Sequence, residues 1–135
     1  MTTISKFEEL DIWQLARVLA NQIYTLTSSS PLAEDFALKD QMNRSAGSIM
    51  DNIAEGFGRN GRIEFIQFLR NATGPADELK SQLYRCLDRG HLNQEEFDKL
   101  YEKATAVYKK VQGFIKYLKG SLIKGSKFKD RKKAE

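Results

Sequence analysis

The sequence contains one cysteine, Cys86, and one histidine, His91, and this scarcity excludes several kinds of functional site. A disulfide framework needs at least two cysteines, and a structural zinc site needs a cluster of cysteine and histidine ligands. The di-iron sites of helical bundles need Glu-x-x-His pairs, which the sequence lacks. With a single histidine, no Ser/His or Cys/His arrangement for nucleophilic catalysis can be assigned. We therefore expect no enzymatic activity, no metal and no cofactor.

The sequence also has few prolines and no long apolar run. Its two prolines are Pro31 and Pro75, and the apolar–polar alternation typical of strands is nearly absent, which favours helices. No stretch approaches the roughly 18 apolar residues of a membrane span. The opening stretch, MTTISKFEEL, lacks the apolar segment of a signal peptide. Together with the lone cysteine, these absences predict a cytoplasmic protein without a membrane partner.

Acidic residues are scarce near the end of the sequence, where basic residues are abundant. Residues 119–135 hold seven Lys/Arg and two Asp/Glu, a net charge of +5, whereas residues 1–118 hold 15 basic and 16 acidic side chains. This shift predicts a folded domain over residues 1–118 and a flexible basic tail over residues 119–135. Such a tail either binds nucleic acid or another anionic surface, or only keeps the protein soluble.

Four segments place apolar residues three and four positions apart, as amphipathic helices do. They cover about residues 10–27, 38–57 and 62–89, and a last segment that begins at an Asn93–Glu96 capping box and ends near residue 118. Gly56 and Gly58 are expected to end the second helix, and Gly90 the third. Gly74-Pro75 falls inside the third segment, but the apolar stripe keeps its phase across it, which favours one kinked helix over two. The sequence thus predicts an all-α, up-down-up-down four-helix bundle.

A polar stripe runs along the predicted second helix beside its apolar ridge. On a helical wheel its members fall on one side of that ridge. They are Gln41, Arg44, Ser48, Asn52 and Glu55. A face that only meets water would be mostly Lys and Glu, whereas this one is rich in amide and hydroxyl groups. Two interpretations remain: a solvated face, or a hydrogen-bonded seam against a neighbouring helix, within the protomer or across a subunit boundary.

The second helix is followed by a basic, glycine-rich turn, GFGRNGR, at residues 56–62. Glycines let backbone N–H groups approach a phosphate, although the turn lacks the GxxxxGK[ST] pattern of a Walker loop. The alternative is a helix–helix turn with exposed arginines. Together with the tail, the turn supplies the predicted nucleic-acid-binding residues. These are Arg59, Arg62, Lys124, Lys127, Lys129, Arg131, Lys132 and Lys133.

The stretch LKDQMNRSAGSIMDNIAEGFGR, followed by EFIQFLRNATGPADELKSQLYRCLDRGHL, resembles the bacterial four helix bundle protein family. Its members are also called intervening-sequence proteins, since some of their genes lie in insertions within large-subunit ribosomal RNA genes. The similarity extends from about Phe7 to Leu118 and is most specific between Gln41 and Gly56. Gly61 stands where the family usually has a Ser or Thr cap, and Gly74-Pro75 where it usually has Gly-Ser. The accessory proteins of diversity-generating retroelements, which work beside a reverse transcriptase, are similar to this family.

The resemblance implies a protomer that assembles into a ring, commonly a homopentamer, without enzymatic activity and with a role in binding RNA or DNA. We therefore expect a non-enzymatic, oligomeric bundle that binds nucleic acid. The alternative is a protein-interaction scaffold or an accessory factor for a nucleic-acid enzyme, such as a retroelement reverse transcriptase. In that case the near-neutral body makes the contact and the basic tail is incidental.

Overall fold

A computed structural model describes the backbone of residues 4–127 and the side chains of residues 4–120. The described chain forms four α-helices: α1, Asp11–Thr27; α2, Phe36–Phe57; α3, Arg62–Asp88; and α4, Gln94–Lys127. Two short 3-10 helices, Phe7–Glu9 and Leu32–Glu34, precede α1 and α2. No strand occurs within residues 4–127, so the predicted all-α fold is confirmed.

The four helices pack in chain order around one apolar core. Helix α2 contacts α1 and α3, and α3 contacts α4. Helix α4 also contacts α1, which completes the bundle, and this interface is the smallest of the four. Because the connections are only a few residues long, consecutive helices run in opposite directions, as the predicted up-down-up-down bundle requires. The largest fully buried side chains come from all four helices and the α1–α2 connection. They are Leu19, Ile23, Leu32, Leu38, Met42, Ile49, Ile53, Leu69, Leu79, Leu83, Val107 and Val111.

The connection between α3 and α4 follows the local signals of the sequence. Gly90 adopts a positive φ of 74°, and the His91 N–H after it donates to the Cys86 carbonyl at 2.8 Å, which closes α3. The predicted capping box is confirmed. The Asn93 N–H donates to Glu96 Oε1 at 3.0 Å, and the Glu96 N–H donates to Asn93 Oδ1 at 2.8 Å. Helix α4 therefore begins where the sequence placed it.

The structure shows whether the third helix is continuous across Pro75 and where the fourth helix ends. Helix α3 is one helix that includes Pro75, as the unbroken apolar stripe indicated. Helix α4 continues through Lys127, beyond the predicted end near residue 118. Leu122 and Ile123 continue the three-and-four spacing of apolar residues, so the helical pattern extends into the segment predicted to be flexible. Residues 128–135, with Lys129, Arg131, Lys132 and Lys133, lie outside the described residues.

Gly56 has a different role from the one expected. It is buried inside α2, and the helix ends at Phe57 with Gly58 as its C-cap. A Cβ on Gly56 would lie 2.6 Å from the Phe68 Cβ and 3.0 Å from the Phe65 Cδ1, both on α3. The absence of a side chain therefore lets α2 and α3 approach each other closely.

Candidate nucleic-acid interface and polar groove

The α2–α3 turn and the second half of α4 lie at the same end of the bundle. The Phe65 ring near the start of α3 has its centroid 5.9 Å from that of Phe57 and 5.6 Å from that of Phe114 on α4. The predicted turn residues Arg59 and Arg62 thus lie near the helix that leads into the predicted basic tail. The side chains of the predicted tail residues, from Lys124 onward, lie outside the described residues, so an interface that joins them to the turn stays a prediction.

The two turn arginines differ in how strongly their neighbours engage them. The Nη2 of Arg59 donates to Glu55 Oε2 at 3.0 Å, and its guanidinium carbon lies 4.8 Å from the centroid of the Phe68 ring. The side chains of this ion pair are 45% and 56% exposed, so exchanging the carboxylate for a phosphate costs little. Arg62 is half-buried and forms no ion pair with any described residue.

Acidic side chains also lie at this end of the bundle, at the start of α1. They belong to Glu8 and Glu9 in the first 3-10 helix and to Asp11. Backbone hydrogen bonds from Ser5 and Lys6 lower the pKa of Glu9, so this carboxylate stays ionised at neutral pH. At the α2–α3 turn, Arg59 and Arg62 are flanked by Glu55 and Glu64, so the excess of positive charge at this end belongs to α4.

Residues of the predicted polar stripe border a groove between α2 and α3. This polar groove has a volume of about 570 Å³ and is lined by Gln41, Arg44, Ser45, Ser48, Pro75, Glu78, Ser81, Gln82 and Arg85. The Nη1 of Arg85 donates to Gln41 Oε1 at 3.0 Å, which links α3 to α2. Gln82 is only 8% exposed, and its Oε1 has no hydrogen-bond partner within the described part of the chain. A buried acceptor left unpaired destabilises the protein until a donor reaches it.

Most side chains of the polar stripe bond to their own helix. The Nε of Arg44 donates to Asp40 Oδ2 at 3.0 Å. The Nδ2 of Asn52 donates to the Ser48 carbonyl at 2.9 Å and to its Oγ at 3.1 Å. Gln41 alone of the five predicted residues is seen to bond to a neighbouring helix in the described structure. A seam between subunits stays a prediction.

A polar cluster that the sequence analysis missed lies at the opposite end of the bundle. Asp35, just before α2, accepts a hydrogen bond from Arg89 Nη1 at 2.7 Å, and its Oδ2 lies 2.8 Å from His91 Nε2. The hydrogen bonds from His91 and Arg89 lower the pKa of Asp35. The cluster fastens the start of α2 to the α3–α4 loop. No local sequence pattern signals it, because Asp35 lies more than 50 positions before Arg89 and His91.

The described residues offer little for catalysis or for a metal. No group of three or more His, Cys, Asp or Glu side chains in residues 4–120 is placed to hold a metal ion. Cys86 is fully buried, with its Sγ 3.3 Å from the Met42 Sδ, and burial raises the pKa of its thiol to about 11. A thiol that is protonated at neutral pH is a poor nucleophile.

Within residues 4–127, no helix combines the length and the apolar content needed to cross a membrane.

Comparisons with known proteins agree with the architecture. The profile of a family described as 23S rRNA-intervening sequence protein matches residues 8–113. Among solved structures, the chain is similar to a protein of unknown function from the S23 ribosomal protein family of Bacteroides thetaiotaomicron. That similarity has a TM-score of 0.71 at 23% identity and covers 78% of this chain and 98% of the other, which supports the fold alone. No curated protein matches.

Proposed function

Because the chain belongs to the 23S rRNA-intervening sequence protein family, as its resemblance indicated, we propose that it is a non-enzymatic protein that binds RNA or DNA and assembles with copies of itself. One observation supports nucleic-acid binding above the others. Arg59 and Arg62 lie at the same end of the bundle as the lysine-rich half of α4. The protonated, buried thiol of Cys86 argues against a cysteine nucleophile and suits a cytoplasmic location.

Self-assembly is supported by the polar groove between α2 and α3. Gln82 Oε1 has no donor among the described residues, and the groove beside it is open, so an N–H or O–H group of a second copy would satisfy it in place of water. The same contact would cover Arg44 and Ser48 of the polar stripe. A homopentamer of 15.4-kDa protomers would have a mass of about 77 kDa, five times the mass of the protomer.

Light scattering coupled to size-exclusion chromatography tests self-assembly directly. We expect a multimer for the natural chain and a smaller mass for Asn52→Leu, because a polar side chain in a seam fixes register more than it adds stability. Far-UV circular dichroism should show unchanged helicity. Gln67→Leu is a matched control, since Gln67 also makes an i,i+4 hydrogen bond, to Asn71, on the exposed side of α3. A monomeric natural chain, or an unchanged Asn52→Leu multimer, would contradict the seam.

Nucleic-acid binding is tested by fluorescence anisotropy with labelled RNA and DNA at several salt concentrations. If four to six phosphates are neutralised, log K falls with log salt by about 0.7 per phosphate for single strands and about 0.9 for duplex DNA. Arg59→Gln/Arg62→Gln should weaken binding, whereas Lys39→Gln/Lys99→Gln, which removes two charges from the opposite end, should not. Binding that is absent at low salt or independent of salt would refute the proposal.

A second candidate function is that of a scaffold or accessory factor for a nucleic-acid enzyme, such as a retroelement reverse transcriptase. The near-neutral body favours it, since residues 1–118 hold 15 basic and 16 acidic side chains and a protein partner bound there would not depend on the basic tail. A complex with a reverse transcriptase encoded beside the gene should then persist at about 0.5 M salt, where charge contacts are screened. It should also persist in Arg59→Gln/Arg62→Gln. Loss of the complex under both conditions would favour nucleic-acid binding alone.

A further inference from the structure

Helix α4 changes its charge partway along its length. Residues 94–102 contain four acidic residues and one lysine, whereas residues 103–120 contain five lysines and no acidic residue. The five are Lys103, Lys109, Lys110, Lys116 and Lys119. A surface that only keeps a protein soluble usually mixes charges of both signs. A long stretch of one sign therefore suits a polyanionic ligand.

The lysines occupy the solvent side of α4. Lys103 and Lys110 are seven residues apart, as are Lys109 and Lys116, so the members of each pair lie within about 20° of each other around the helix. Lys109, Lys110, Lys116 and Lys119 are exposed, and Lys103 is half-buried. At 1.5 Å per residue, the lysines extend over about 24 Å of the helix. We call the solvent side of residues 103–120 the lysine face.

A shallow depression interrupts the lysine face near Gly113. It has a volume of about 330 Å³ and is lined by Gln112, Gly113, Ile115, Lys116 and Lys119. Apart from the adjacent backbone of α4, no atom of the described residues lies within 4 Å of the position that a Cβ on Gly113 would take, so packing among these residues does not require a glycine there. A glycine weakens an exposed helix but permits close approach of a ligand backbone. The depression places two lysines beside such an approach.

Tyr117 adds an aromatic ring to the lysine face. It is 66% exposed, and its ring stacks on that of Phe114, with centroids 5.9 Å apart and 6° between the planes. Phe114 in turn meets Phe65 edge to face at 5.6 Å, which holds the stack against the core. Aromatic rings fixed in this way beside cations are platforms for the unstacked bases of single strands, whereas a duplex keeps its bases stacked on one another.

From these observations we infer that the lysine face of α4 binds single-stranded nucleic acid, with its lysines on phosphates and Tyr117 stacked on a base. The inference rests on the proposed function and adds the binding face and the single-stranded class of ligand. It differs from the interface predicted from the sequence, which lies in the α2–α3 turn and from Lys124 onward. None of the five lysines of the face belongs to that predicted set.

The charge contribution is tested with Lys109→Gln/Lys116→Gln in the full chain, against the control Lys39→Gln/Lys99→Gln. Anisotropy is measured with a labelled single-stranded RNA, a single-stranded DNA and a duplex of the same sequence. At about 0.1 M salt, a slope of −0.7 per phosphate corresponds to about a fivefold loss for each lysine removed. The lysine-face pair should therefore weaken single-strand binding about 25-fold and reduce the salt slope by about 1.4, and the control pair should change neither.

The stacking contribution is tested with Tyr117→Leu and Tyr117→Phe. Leucine should weaken single-strand binding about fivefold or more, while phenylalanine, which keeps the ring, should retain it. Because Tyr117 is mostly exposed, neither change should alter the helicity measured by circular dichroism. Equal loss in both variants, or no loss in Tyr117→Leu, would overturn the stacking role.

The outcomes separate this inference from the proposed function. If the natural chain binds no nucleic acid at low salt, the proposed function fails. Suppose instead that the natural chain binds nucleic acid. If Lys109→Gln/Lys116→Gln then binds as tightly as Lys39→Gln/Lys99→Gln, while Arg59→Gln/Arg62→Gln binds more weakly, the proposed function stands and the lysine face is refuted. Tighter binding to the duplex than to the single strand also refutes it. So does binding to vesicles of phosphatidylserine and phosphatidylcholine without binding to the RNA.

Discussion

Replacing Gly56 by alanine tests the close packing of α2 against α3. Alanine is favoured over glycine by about 1 kcal/mol inside a helix, so the change would stabilise the protein if space allowed. The new Cβ would instead lie 2.6 Å from the Phe68 Cβ, where ordinary contacts begin at 3.4 Å. Because that Cβ is fixed to the backbone of α3, the helices must move apart. Overpacking of this kind costs about 1–3 kcal/mol before contacts along the interface are lost. Set against the gain of about 1 kcal/mol, this cost should lower the free energy of unfolding by about 1 kcal/mol, and by more where interface contacts are lost.

Urea unfolding followed by far-UV circular dichroism measures this change, with Gly47→Ala as the matched control. Gly47 lies on the same helix, and apart from the adjacent backbone of α2 no atom of the described residues is within 4 Å of the position that an added Cβ would take. The free energy of unfolding of Gly47→Ala should therefore rise by about 0.4–1 kcal/mol, because alanine lowers the conformational entropy of the unfolded chain. All variants are compared at one protein concentration, since assembly would couple to unfolding. If Gly56→Ala is as stable as Gly47→Ala, the two helices do not pack as closely as described.

Two further predictions concern ionisable groups. Hydrogen bonds from His91 and Arg89 lower the pKa of Asp35 below its ordinary 3.8, so its stabilising contribution is present above about pH 4 and is lost as the pH falls further. The free energy of unfolding should fall less between about pH 5 and about pH 3 in Asp35→Asn than in the natural chain. An equal fall in both proteins would show that Asp35 does not stabilise the fold through His91 and Arg89. The pKa of Cys86 is raised to about 11 by burial, so a thiol reagent at neutral pH should react only after urea unfolds the chain. Rapid labelling of the native protein would show that the thiol is accessible.

The helices were predictable because their signals are local. Apolar spacing depends on residues three and four positions apart, and the Asn93–Glu96 capping box lies within a single turn. Short connections between such helices then leave few arrangements other than a bundle. The predicted end of α4 near residue 118 is too early, since the charge boundary after Leu118 does not end the helix. The helical pattern in fact continues through that boundary to Lys127.

The polar sites were less predictable because their members are distant in the sequence. The Gln41–Arg85 hydrogen bond spans 44 positions, and the Asp35–His91 contact spans 56. Helical wheels place Gln41 on a face but do not say which helix that face meets. Gly56 shows a different difficulty, since glycine serves both as a helix end and as a point of close approach. Only the position of Phe68 distinguishes the two uses.

The lysine face and self-assembly reinforce each other if both hold. In a cyclic ring every protomer has the same environment, so each copy presents its lysine face in the same orientation relative to the ring axis. A single strand that leaves one face then meets the next at a high effective concentration, and weak contacts combine into tight binding without any new contact. Binding should therefore tighten steeply once the strand is long enough to reach two protomers, and Asn52→Leu should lose that length dependence while keeping the affinity for short strands. An equal dependence on strand length in both proteins would mean that the faces act independently.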